Sequence, residues 1–432
     1  MPIKKFPTIM PTIYDKFQCK GGGCRNTCCQ QWEINITRGE YSKLRHRIKD
    51  EKMQSLFSRV PRKAAMKDRY ALVQLDEEGY CPYLTDDRMC GLQLEHGYNI
   101  LPSICKTFPR IYKQINPELH TLSLDTGCER TLELLWEESE TGLHFISDMR
   151  DDFGLLSCDT QSKLNFAGFS DYISDIQNLC IWLLQNRAYS LSDRMIILGL
   201  AMRELQEIQD TQATDQIPVW FVKWQAHTKG NALAEMLSKL NGDRHRFLLN
   251  NCSILLIQQS LISSPDLQQL ASRIKLSIEC VQQNDLFSCN ELKYTSLDLQ
   301  FNEKFSNIDC FFENYLVMIL FRLVFPFQQN SVWQSYLYFA SFYSFLRFIS
   351  VSSLPQTIEE LMDNLALLSR TSINTAGFSQ IFSERLKISH SDSLAHAFYC
   401  PVINVISNTK KIPDSKNPVS FLSSRPTHAY SK

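Results

Sequence analysis

From about residue 140 onward, apolar positions recur at three- and four-residue spacings, the period of a helix with one buried face. Ile173, Ile176, Cys180 and Leu184 form one such stripe, and Met195, Leu198, Met202 and Leu205 form another. Similar patterns over Trp220–Leu240, Arg246–Gln283, Phe311–Leu323 and Val332–Ser350 predict further helices. Pro355 is expected in a first helical turn, followed by Ile358, Leu361, Met362 and Leu365 on one face. These stripes are the signature of core packing. The tail from about residue 407, rich in Ser, Lys, Pro and Asn, is expected to be loosely ordered.

The first 130 residues have another texture. Twelve glycines and prolines lie between Gly21 and Pro117. Trp32–Thr37 and Tyr70–Leu75 carry β-favouring residues over strand-like lengths. Between them, Gly39–Arg69 reads as helical, and Arg38–Arg69 holds eleven Lys or Arg against four Asp or Glu, the pattern of a solvated basic surface. The expected architecture is mainly α, with a small loop-rich α+β cysteine module (1–135) packed on a helical domain (136–406) and a flexible tail (407–432).

Composition narrows the class. The chain has 432 residues, 44% hydrophobic and 21% charged, as in folded globular proteins. A formal net charge of −1 provides no global field toward nucleic acid or anionic lipid. The longest apolar run, Tyr315–Phe327, carries Arg322 and is too short for a bilayer span of roughly 20 residues. The start lacks the apolar segment of a secretory signal. These features predict a cytoplasmic protein with no membrane or nucleic-acid partner.

Cysteine usage points to chemistry. Of 15 cysteines, Cys19, Cys24, Cys28, Cys29, Cys81, Cys90, Cys105 and Cys128 fall in the first 128 residues. In a reducing compartment such clustering reads as metal ligation rather than disulfides. Isolated cysteines such as Cys180 and Cys252 read as small buried apolar groups. Gly21, Gly22 and Gly23, between Cys19 and Cys24, predict a backbone that wraps a ligand closely. Four thiolates suit either zinc or a [4Fe–4S] cluster. The expected ligands are Cys24, Cys28, Cys81 and Cys105, with Cys19, Cys29, Cys90 and Cys128 as further candidates. No catalytic residue is identified by pattern.

The order Cys-x3-Cys-Cys, Cys-Pro-Tyr-Leu and Cys-x2-Phe-Pro resembles a zinc- or iron-chelating cysteine-rich domain of bacterial proteins. The fuller similarity is to the flagellin lysine-N-methylase family. It is carried by Pro11, Tyr14, Phe17, Cys19, Cys24, Cys28, Cys29 and Trp32, then Cys81-Pro82, Cys90, Cys105, Phe108-Pro109 and Cys128. It covers about residues 10–130, and the remainder matches in length and helical character. The resemblance implies methyl transfer from S-adenosylmethionine to lysine side chains of flagellin, with an iron–sulfur cluster in the enzyme.

The residues constrain how such chemistry would run. No glycine-rich strand-to-helix turn of a Rossmann-type cofactor site is present in the sequence. A Cys-x3-Cys-x2-Cys radical motif fails because Gln31 stands where the third cysteine would. Displacement at a sulfonium methyl by a neutral lysine amine in a desolvated pocket remains open. Tyr80, Tyr83 and Tyr98 could line that pocket or simply pack. Glu129, Glu133, Glu137 and Glu140 at helical spacing, with Glu138 beside them, could attract a lysine-bearing substrate or be merely solvated. The rival class is a non-catalytic partner-binding scaffold with structural zinc or iron.

Overall fold

The computed structural model describes residues 5–30, 34–48, 57–61, 70–151, 168–228 and 287–373, with a few isolated positions between 233 and 273. The expected helix over 246–283 and the tail from 407 lie outside the described residues, as do Cys158, Cys252, Cys280 and Cys400.

In chain order the N-terminal part contains β1 (Phe6–Pro11), α1 (Ile13–Lys16), β2 (Asn35–Ile36), α2 (Arg38–Arg47), β3 (Phe57–Arg59) and β4 (Ala71–Val73). It continues with α3 (Gly91–His96), α4 (Ser103–Thr107), β5 (Arg110–Gln114), β6 (His120–Leu124), α5 (Glu129–Glu137) and β7 (Phe145–Arg150). Helices follow: α6 (Ile173–Leu184), α7 (Leu191–Thr211), α8 (Ile217–His227), α9 (Phe287–Lys304), α10 (Ile308–Leu323), α11 (Val332–Ser352) and α12 (Ile358–Ser372). The protein is mainly helical with two small sheets, and none of the described helices is long and apolar enough to cross a membrane.

The larger sheet has the order β5-β6-β1-β7. Strand β1 runs antiparallel to β7 and parallel to β6. Its sequence, Phe-Pro-Thr-Ile-Met-Pro, gives no strand signal because proline cannot donate to a ladder. Pairing with β6 involves only Thr8 and Ile9, between the two prolines, whereas the register with β7 takes in both Pro7 and Pro11. The smaller sheet, β2-β4-β3, is antiparallel.

The expected helix over 39–69 is shorter than predicted. Helix α2 begins at a capping box, Thr37 accepting from the Glu40 N–H while the Glu40 carboxylate accepts from the Thr37 N–H, and ends at Arg47. Phe57–Arg59 then pairs with β4, so tertiary strand pairing overrides the local pattern. Pro355 also lies before its helix rather than in its first turn, because Thr357 caps α12 by accepting the Glu360 N–H.

Two hydrophobic cores result. The larger joins Met10, Ile13, Tyr14 and Phe17 to Leu122, Leu124, Leu132, Cys128 and the helices, including Phe311, Tyr315, Phe339 and Leu365. The smaller comprises Ile36, Leu44, Ile48, Phe57, Ala71, Leu92, Ile100 and Leu101, with Cys90 and Tyr83 packed against it. The cysteines therefore lie along the seam between a helical core and a minor one.

Candidate functional site

The first cysteine segment runs from Cys19 to Cys29. Lys20 reaches both Glu129 and Glu133 at 2.6 Å. The Arg25 and Asn26 N–H groups donate to one Glu129 oxygen at 2.7 and 3.1 Å, and the Arg25 guanidinium lies 3.1 Å from the other. Glu129 directly follows Cys128, so this carboxylate fastens Cys24 beside the start of α5. Burial raises the Glu129 pKa, but bonding to Lys20, Asn26 and Arg25 outweighs it and holds the carboxyl below its ordinary value.

The second segment is a tight turn from Cys81 to Cys90. Cys81 N–H donates to the Cys29 carbonyl at 2.8 Å, and Gln30 bridges Tyr80. Leu84 pairs with Cys90 across the turn. At its tip Arg88 adopts φ 57° and its guanidinium donates to the Cys24 and Arg25 carbonyls at 3.0 and 2.9 Å. Gly21 and Gly22 pack against the second cysteine segment. Gly22 donates to Met89 Sδ at 3.0 Å, and a Cβ there would meet the Asp87 carbonyl at 2.4 Å, so the glycine permits close approach of the two cysteine segments.

The third segment is α4, which carries Cys105. Its Ser103 N–H donates to Glu40 Oε1 at 2.6 Å. The carboxylate that caps α2 therefore also caps the Cys105 helix. Downstream of Cys105, Arg110 lies 4.9 Å from the Phe17 ring and 5.9 Å from the Tyr14 ring and donates to the Phe17 carbonyl at 3.2 Å. Tyr14 and Phe17, part of the opening motif, thus tie the stretch just before Cys19 to the stretch just after Cys105.

Cys19, Cys28 and Cys105 are solvent-exposed, Cys24, Cys29 and Cys90 half-buried, and Cys81 and Cys128 buried. Cys28, Cys81, Cys90 and Cys105 lie within electrostatic reach of one another, whereas Cys24 lies with Cys19 and Cys128. Cys128 is also within electrostatic reach of Cys28, so it stands between the two groups. Among the described residues, no three His, Cys, Asp or Glu side chains converge closely enough to hold a metal ion. Eight thiols from four segments are nonetheless gathered in this part of the fold, and six of them are held above their ordinary value. Hydrogen bonding from Cys29, then burial, raises Cys28. Burial pushes Cys24 up to about 12 and Cys81 and Cys128 to about 11, and it also raises Cys90 and Cys105, the latter densely surrounded despite its exposed surface. Thiolates here would repel one another unless a cation lay among them.

The tyrosines and glutamates have structural partners. Tyr83 packs beside Phe57, and Tyr98 donates to the Lys106 carbonyl at 3.0 Å. Glu133 and Glu137 pair with Arg130, and Glu138 pairs with Lys16. That acidic face is largely occupied by ion pairs within the chain. Sequence reasoning missed Glu40, Arg88 and Arg110; only the Thr37/Glu40 capping spacing could have signalled one of them.

The helical region closes the seam from the other side. Arg322 lies 3.2 Å from Asp125, and Ser369 Oγ is 2.8 Å from Thr126 Oγ1 and 2.5 Å from the Tyr315 hydroxyl. Arg370 donates to the Gly127 carbonyl at 3.0 Å. The Asp125–Cys128 turn is therefore held by side chains of α10 and α12.

The fold and site define a helical protein with a thiol-rich seam formed by its N-terminal segments. The model of the FliB lysine N-methylase C-terminal domain matches residues 177–400, more than half of the chain. The chain belongs to the FliB lysine N-methylase family. The match lies in the helical region, where the motifs had suggested similarity only of length and character. The chain is 27% identical over 128 residues to a lysine-N-methylase of Salmonella typhimurium, covering 29% of this chain and 31% of that protein. It is 26% identical over 128 residues to the flagellar biosynthetic protein FliU of Salmonella muenchen, covering 29% of this chain and 75% of FliU. The chain thus aligns with under a third of the length of the lysine-N-methylase. No solved structure matches it.

Proposed function

We propose that this protein is a protein-lysine N-methyltransferase that modifies flagellin, using S-adenosylmethionine and an iron–sulfur centre held by the cysteine seam. The observation that carries the reading is the gathering of segments 19–29, 81–90, 103–107 and 128 around one seam in a chain of the lysine N-methylase family. The relatives' names, lysine-N-methylase and flagellar biosynthetic protein, support the reaction and the flagellar substrate.

When bound, the cluster would supply Lewis-acidic iron, and S-adenosylmethionine would supply an electrophilic methyl group. Cys28, Cys81, Cys105 and Cys24, or Cys90 in its place, are the residues to hold the centre. The chain's own residues prepare them: Glu40 orients the Cys105 helix, Arg88 ties the Cys81–Cys90 turn to Cys24, and Glu129 joins Cys24 to Cys128. In the transfer, the substrate amine forms an N–C bond as the sulfonium S–C bond breaks, and the amine proton passes to solvent. The amine must enter neutral, which desolvation favours.

The test is purification without oxygen, iron and sulfide analysis, and transfer of labelled methyl from S-adenosylmethionine to flagellin lysines. Broad absorbance at roughly 400 nm, bleached by dithionite, with about four iron per chain is expected of a cubane. Methyl transfer should disappear when Cys81 or Cys105 is replaced by serine. Cluster-loaded protein that leaves flagellin unmodified would sink the assignment.

A further inference from the structure

Helix α2 presents positive charge on both flanks of its exposed side. Lys43 and Arg47, four residues apart, share one flank; Tyr41 and Arg45 share the other, with Leu44 buried between them on the inner side. Each flank meets a further cation from another segment. Lys43 and Lys106 of α4 both donate to the Asn99 carbonyl, at 2.7 and 2.9 Å, so two ammonium groups converge on one oxygen. On the opposite flank, the guanidiniums of Arg45 and Arg59 lie 5.9 and 5.4 Å from the single ring of Tyr41. Lys43, Arg45, Arg47 and Arg59 are all exposed.

Among the described residues, Lys43, Arg45, Arg47, Arg59 and Lys106 form no ion pair. The one carboxylate of α2, Glu40, is turned inward, where it accepts the Thr37 and Ser103 N–H groups. Ordinary surfaces intersperse both signs, so like charges collected at two places on one short helix suit an anionic ligand. The arrangement narrows the kind of anion. The cations stand on opposite flanks of a helix, so a flat anionic membrane meets only one set at a time. The Tyr41 and Tyr70 rings are engaged with each other at 5.4 Å and both lie under Arg59, which leaves them poor platforms for stacked bases. On the other flank Tyr98, with its ring 5.8 Å from Lys106, is 45% exposed, and Leu94, four residues earlier, is 62% exposed. Apolar side chains beside cations match a protein segment that carries both acidic and apolar residues.

We infer that the exposed face of α2 is a docking surface for an acidic, flexible segment of a partner protein, whose carboxylates reach both flanks of the helix. This role needs neither the methyl transfer nor a metal at the cysteines. The ten residues of α2 span about 15 Å. An extended segment of roughly five residues covers that length, and wrapping both flanks takes about twice as many. Because Lys106 directly follows Cys105 on α4, the docked segment lies beside a cysteine-bearing helix.

The experiment follows fluorescence anisotropy of a labelled peptide of about a dozen residues, Asp and Glu alternating with Leu and Gly, titrated with the full-length protein at low salt. The same peptide with Asn and Gln, a single-stranded DNA oligonucleotide and phosphatidylserine vesicles are the comparison probes. The acidic peptide is expected to bind, the amide peptide not, and the affinity to fall as salt is added. Arg45→Glu combined with Arg47→Glu should weaken binding roughly tenfold or more, since several small exposed pairs are lost together. Arg45→Gln with Arg47→Gln should weaken it less. Lys5→Glu with Lys223→Glu, which changes net charge equally but away from α2, should leave it unchanged. Thermal melting confirms that each variant is folded. Failure of the acidic peptide to bind wild type at low salt overturns the proposal, as does equal binding by wild type and the Arg45→Glu, Arg47→Glu protein. Tighter binding of the oligonucleotide or the vesicles than of the acidic peptide also overturns it, and gives the face to that ligand instead.

Discussion

Glu129 accepts the backbone N–H of Arg25 at 2.7 Å, across more than a hundred residues of chain. The carboxylate is the first helical residue of α5, where negative charge is favoured by the helix dipole. Both its oxygens are engaged, one by Lys20 and the Arg25 guanidinium, the other by two backbone N–H groups. A residue placed by sequence on an acidic, solvent-facing stripe is instead the link between two cysteine segments.

Replacing Glu129 with alanine removes the acceptor for those two N–H groups and leaves two cations beside Cys24. Lys20 and Arg25 are partly solvated, at 26% and 37% side-chain exposure, so the loss is smaller than for a fully buried pair. A destabilisation of about 2 kcal/mol is expected, from unsatisfied donors and the broken network. Urea unfolding of the metal-free protein measures it. A change below about 0.5 kcal/mol, the range of ordinary surface substitutions, would show that the link carries no stability.

Acid should release the same link. Glu129 and Glu40 are both held below their ordinary value of 4.5; in each, burial pushes the pKa up and hydrogen bonding more than offsets it. A carboxyl whose folded pKa is depressed stabilises the fold above its unfolded pKa. That contribution fades as pH falls below 4.5 and through the lowered folded values. Asp363, raised chiefly by burial, works in the opposite sense and takes up a proton earlier. Melting curves from pH 7 to pH 3 should show the gap between wild type and Glu129→Gln closing on the acid side. A gap that stays constant down to pH 3 would be inconsistent with this linkage.

The helical majority was legible in the sequence because its apolar stripes keep one period over many turns. Ile173 to Leu184 and Val332 to Ser352 form helices where the pattern places them. The thiol-rich zone was legible as composition, since clustering needs no structure to be seen. Its geometry was not, because the partners of Cys24 are set by Glu129 and Arg88, which no local spacing connects to it. Strand β1 escaped because its prolines argue against a strand, yet its pairing with the distant β7 runs through both of them. Strand β6, buried along its whole length between neighbours, shows no alternation to read.

A second network holds the helices to the loop that follows α5. Glu313, with 1% of its side chain exposed, accepts from both Arg187 and Arg194. Arg187 also donates to the Ser139 and Glu140 carbonyls at 2.8 and 2.7 Å, just beyond α5, and Arg194 to the Leu184 carbonyl at 2.6 Å. Glu313→Gln keeps the shape but leaves two guanidiniums without their anion. The expected cost is about 3–5 kcal/mol, the scale for breaking a buried pair from one side. Equilibrium unfolding in urea, followed by circular dichroism, reads it directly. Unfolding within 1 kcal/mol of wild type would place the stabilisation elsewhere.

The three consecutive glycines offer a sharper test, because their surroundings differ. Gly21 adopts φ 57°, a conformation that L side chains rarely take. Gly22 faces the Asp87 carbonyl, which a Cβ would meet at 2.4 Å, and backbone cannot swing aside as a side-chain end can. Gly23 has only Lys20 Cβ nearby, at an ordinary 3.8 Å. Alanine at Gly22 must therefore push the Cys81–Cys90 turn away from Cys24, at a cost of about 1–3 kcal/mol typical of overpacking. Alanine at Gly23 should change stability by less than about 0.5 kcal/mol. If the glycines serve to wrap a ligand instead, metal-free protein should tolerate Gly22→Ala as well as Gly23→Ala. Thermal melting of the two variants without metal separates these accounts.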